Sequence, residues 1–129
     1  MTAVATLEYL TLPINADEGF PQAFRLALTP RAYTVTLYVN LLDEESVADD
    51  ELVYDLARDP RGFMVMVVRR DGPPDEREIF RRRLVVGHEY EAEELGFLFN
   101  EIRVDRRNLG GVGSFGSSVV GGVATRWAS

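Results

Sequence analysis

Near the carboxyl end, Gly111-Val112-Gly113-Ser114-Phe115-Gly116 satisfies G-x-G-x-x-G, a spacing in which glycines let a backbone cradle phosphates at the start of a helix. The surroundings argue against that use. Only thirteen residues follow Gly116, they include Gly121-Gly122, and no acid stands at the distance needed to hold a ribose. Glycine is expected here for tight turns and close backbone approach.

His88 is the only histidine and cysteine is absent, which removes disulfides, thiolate catalysis and cysteine-based zinc sites together. A serine triad would have to recruit His88 with Ser114, Ser117 or Ser118, and none of these serines stands in a Gly-x-Ser-x-Gly elbow. Within Gly87-His88-Glu89 the imidazole reads as a loop residue. The acidic runs Asp43–Glu51 and Glu89–Glu94 offer oxygen ligands but lack the D-x-[DN]-x-[DN]-G spacing of a calcium loop. No catalytic residue, cofactor or metal is expected.

All fourteen basic residues are arginine, against twenty-one acids and a net charge of −7. Codon usage in a GC-rich genome accounts for such a bias, and so does a need for planar, bidentate carboxylate pairing. Arg69-Arg70, Arg81-Arg82-Arg83 and Arg103, Arg106, Arg107 would form a basic face if their strands adjoin. Such a face would meet acidic loops of a neighbouring subunit or pair with the chain's own acids. The negative balance argues against specific nucleic-acid binding.

These residues must be positioned by one domain, since 129 residues suffice for one sizeable core and not for two. Hydrophobic residues at 46% and charged residues at 27% fall in the globular range. No apolar run is long enough for a membrane span, and the start has no basic segment of a secretory signal, so a soluble chain is expected.

Tyr33 to Asn40 alternates with period two, and Phe24, Leu26 and Leu28 alternate before it, so a hairpin is expected around Thr29-Pro30-Arg31-Ala32. A second hairpin joins Phe63–Val68, read as a central strand, to Glu78–Val86 across Asp71-Gly72-Pro73-Pro74-Asp75. Leu7–Ile14, Leu95–Val104 with Phe97 and Phe99 inward, and Val119–Trp127 complete the strand candidates. Leu52–Arg58 reads as a loop with a short strand or one helical turn, and Glu89–Glu94 as helical or a charged loop. The expectation is an all-β antiparallel sandwich or barrel of six to seven strands over residues 1–107. A glycine-rich segment, 108–129, follows and packs on the domain or on neighbours.

Leu12-Pro13-Ile14, Pro21-Gln22-Ala23-Phe24-Arg25-Leu26-Ala27-Leu28 and Tyr33-Thr34-Val35-Thr36-Leu37-Tyr38-Val39-Asn40 together resemble the opening of the small baseplate plug proteins of tailed phages. The likeness covers the first third of the chain. The acidic 43–51 segment, the lack of a tryptophan near Phe63 and the glycine-rich ending depart from that pattern. What the resemblance implies is a non-enzymatic tail subunit in the virion baseplate, closing or lining the channel near the hub. It also implies contacts with tube, hub and tape-measure proteins, and an acidic surface would suit a channel that passes DNA. Homo-oligomerisation is expected, with Arg81, Arg82, Arg83, Arg106, Arg107, Phe115 and Trp127 as interface candidates. The rival readings are a small-ligand-binding barrel with Tyr33, Tyr38, Phe63, Phe97 and Phe99 around a cavity, and an enzyme using His88.

Overall fold

The computed structural model describes residues 9–28, 31–41, 53–55 and 62–125. Within them lie nine strands: β1 (Leu10–Thr11), β2 (Gln22–Leu28), β3 (Arg31–Leu41), β4 (Val53–Asp55), β5 (Gly62–Asp71), β6 (Arg77–Arg83), β7 (Glu89–Ala92), β8 (Leu95–Asp105) and β9 (Ser118–Thr125). One sheet runs β2-β3-β5-β6; the other runs β1-β9-β8, with β4 and β7 both paired to β8, and every strand pairing is antiparallel. Neither sheet closes on itself, so the fold is an all-β sandwich and not a barrel. No helix among the described residues is long and apolar enough to cross a membrane.

Alternation explains the first sheet. Tyr33, Val35 and Leu37 of β3 point inward beside Met64, Met66 and Val68 of β5, all buried, while Thr34, Thr36 and Tyr38 face out. β5 is central, as its apolar composition predicts, with β3 on one side and β6 on the other. The expected strand through Val86 stops at Arg83, although the Leu84 amide still donates to the Met64 carbonyl at 2.7 Å.

The second sheet carries a change of parity that the sequence already displays. Phe97 and Phe99 point inward, and so do Ile102 and Val104, which a strict period of two does not allow. A bulge between Phe99 and Glu101 absorbs the extra residue and keeps all four in the core. The strand total exceeds the expected six to seven through β4, which takes the short-strand alternative over Leu52–Arg58, and through β7. β7 replaces the expected helix or loop over Glu89–Glu94, because Tyr90 and Ala92 alternate inward beneath exposed Glu89 and Glu91.

The glycine-rich ending supplies β9, which lies between β1 and β8 and so belongs to its own domain. Gly121 makes room on the inner face, where an added Cβ would stand 2.6 Å from the Phe99 ring. Gly122 does the same outside, 2.8 Å from the Cβ of Tyr9. Tyr9 then reaches the Glu89 carboxylate at 3.0 Å across the β9 and β8 positions held by Gly122 and Leu98. Docking in trans is therefore not needed to order residues 108–125.

Candidate functional site

The G-x-G-x-x-G loop lies between β8 and β9, and a strand follows it in place of a phosphate-binding helix. One of its amides, and the amide just before it, are engaged within the chain. Gly110 N–H donates to the Phe20 carbonyl and Gly113 N–H to the Asp17 carbonyl, both at 2.8 Å. An added Cβ on Gly111 would meet the Arg107 carbonyl oxygen at 2.3 Å, so this position tolerates no side chain. The motif closes one end of the sandwich.

Side chains from β8 complete that closure. Asp105 is buried, and its carboxylate accepts from the Arg107 backbone amide at 2.9 Å and from the Arg107 guanidinium at 3.0 and 3.1 Å. That guanidinium holds the carboxyl below its ordinary range, against the upward push of burial. Arg107 also lies over the Phe115 ring, 4.2 Å from its centroid. Buried Asn108 donates to the Gly111 and Gly113 carbonyls and accepts from the Ser117 hydroxyl, whose oxygen accepts from the Asp105 amide. Two of the interface candidates, Arg107 and Phe115, thus hold this junction together.

A different surface forms at β6, one of the two edges of the first sheet. Arg81 faces outward, where Glu78 pairs with it at 2.8 Å and its guanidinium donates to the Tyr38 hydroxyl at 3.4 Å. Arg83 lies on the same side with its guanidinium 5.0 Å from the Phe63 ring centroid. Arg82 pairs with Met66, a core residue, so it projects along the inner side of the edge and remains exposed. Tyr90 fixes the end of this row: its hydroxyl donates to the Arg83 carbonyl at 3.0 Å and accepts from the Val85 amide at 2.6 Å. Arg82 has no carboxylate partner among the described residues.

The structure therefore brings Arg81, Arg82 and Arg83 together on one strand and does not join them to Arg107 and Phe115 in one contact network. Arg106 is exposed beside the junction, and Trp127 lies outside the described residues. His88 is exposed and meets the Tyr90 ring at 4.5 Å between centroids, edge to face. The serines serve elsewhere: Ser117 joins the Asn108 network, and Ser118 donates to Glu101 at 2.8 Å. No group of three or more metal-ligating side chains occurs among the described residues. The five aromatic residues of the barrel reading do not share a face, since Tyr33, Phe97 and Phe99 are core residues while Tyr38 and Phe63 point out.

One polar cluster leaves only a faint trace in the sequence. Arg70 of β5 and Tyr33 of β3 both bind Glu94, which stands in the two-residue turn between β7 and β8 of the other sheet. Arg70 Nε donates to Glu94 Oε2 at 3.0 Å and the Tyr33 hydroxyl donates to the same oxygen at 2.6 Å. The guanidinium drives the Glu94 pKa down to about 2, while burial and the carboxylate push the Tyr33 phenol up to about 12. Its only sequence signal is an arginine at an inward position of a central strand. In comparisons with protein-family models, curated proteins and solved structures, nothing matches the chain.

Proposed function

We propose that this chain is a structural subunit of a phage or phage-like tail, a baseplate plug that closes or lines the channel near the hub. The observation that supports this reading best is the β6 edge, where three consecutive exposed arginines stand on one strand and only Arg81 has an acidic partner among the described residues. An exposed arginine row of this kind suits recognition of acidic protein surfaces. Its contacts are individually modest and numerous, which fits a plug that must be held firmly and still be released when the tail is triggered. The phage context itself rests on the resemblance of the first third of the chain.

The test is physical location. In tail particles or injection complexes purified from the organism that encodes the chain, the reading expects the protein by mass spectrometry and antibody-bound gold at the baseplate end. Particles that assemble fully without it sink the reading.

A further inference from the structure

The four sheet edges are not alike. In the second sheet the outer strands β1, β4 and β7 are two, three and four residues long among the described residues, too short to template much pairing. In the first sheet β6 is guarded by Arg77, Arg81, Arg82 and Arg83, by the inward-side charge of Arg82 and by a register shift between Val68 and Arg69. Edge β2 has no cluster of charges and no register shift in its pairing. It is seven residues long with regular pairing to β3, and Arg25 is its only charge.

Its side chains also look unfinished. Phe24 and Leu28 point into the sandwich and are only half-buried, while Ala23 and Ala27 are small, exposed and outward. We infer that β2 is a self-pairing edge, at which two copies of this chain join by antiparallel β2–β2 contact centred on Leu26. The inference rests on the assembly reading above and names its partner, a second copy.

Symmetry and charge fix that register. Centring on Arg25 would set two arginines directly opposite each other, which like charges disfavour. Centring on Leu26 sets Arg25 opposite Ala27 of the second copy and Phe24 opposite its Leu28, so the half-buried apolar pair is covered from both sides. The outcome is one continuous sheet of eight strands, four from each copy.

Sedimentation equilibrium of the full chain tests this, using Ala27, which is exposed and can accept substitutions without disturbing the core. Ala27→Glu places a carboxylate opposite Arg25 twice over and should tighten the dimer about three- to thirtyfold at low salt. Ala27→Arg should weaken it by a similar factor, and Arg25→Glu combined with Ala27→Arg should restore it. A dimer that ignores all three variants, or a monomer for both the native chain and Ala27→Glu, overturns the inference. A monomeric chain still found in tail particles rejects this edge alone, whereas a dimer absent from such particles rejects the tail reading alone.

Discussion

Removing the charge of Glu94 should unfasten the two sheets. Its side chain is 19% exposed and that of Arg70 is 8% exposed, so solvent can replace little of what each supplies to the other. A pKa that falls from 4.5 to about 2 corresponds to about 3 kcal/mol of native-state stability at neutral pH. Glu94→Gln leaves Arg70 buried without a counter-charge, and one-sided deletions of that kind typically cost about 3–5 kcal/mol. Urea denaturation at pH 7 should therefore show a loss of about 3 kcal/mol, with a melting temperature lower by about 10 °C. The sign with pH follows from the depressed carboxyl. Its contribution is complete above the unfolded value of 4.5 and disappears as pH falls toward about 2, so the wild-type and variant curves should converge across that interval. Replacing both partners, as in Arg70→Met with Glu94→Leu, should recover most of the loss because neither charge is left stranded. A Glu94→Gln cost below about 1 kcal/mol, or an equal cost at pH 7 and pH 2, would show that the Arg70–Glu94 pair does not join the sheets.

The same cluster acts at the alkaline end. The stability that Tyr33 adds is present below pH 10 and fades as pH rises through about 12, so Tyr33→Phe should lose the last component of an ultraviolet tyrosine titration and the matching late fall in stability. Gly121→Ala should cost about 1–3 kcal/mol by driving a methyl to 2.6 Å from the Phe99 ring. Gly116→Ala meets no atom and carries only the strain of its φ of +91°, about 1 kcal/mol, so denaturation of the pair separates crowding from backbone strain. His88→Ala should cost under about 1 kcal/mol, since only the edge contact with Tyr90 is lost; a thermal melt that collapses would contradict its placement on the surface.

Much of the fold was legible because alternation is a local signal. Tyr33–Asn40 announces a strand by its period and Phe63–Val68 a central strand by its composition, and both are inner strands of the first sheet. The bulge at Phe99/Glu101 could have been read from the switch between Phe97, Phe99 and Ile102, Val104. For β4 the sequence leaves a short strand or a helical turn open, and for β7 it suggests no strand, because three or four residues scarcely display a period and their pairing is decided by β8. The place of the glycine-rich segment was hidden for another reason: Gly121 and Gly122 gain their purpose from Phe99 and Tyr9, which are distant in sequence. Of the candidate site, the arginine triplet was plain and its exposure was confirmed by position on an edge strand. That Arg107 pairs with Asp105 and lies over the Phe115 ring is not legible in the sequence, because both contacts depend on the turn at Arg106–Asn108.

The proposed role of the β6 arginines is to bind partners, not to stabilise the chain that carries them. Measuring incorporation of an Arg81→Glu, Arg82→Glu, Arg83→Glu variant into purified tail particles, beside its melting temperature, tests this most directly. The variant should melt close to the native protein and be missing from the particles. Incorporation at the native level, by a variant that is folded, would contradict it.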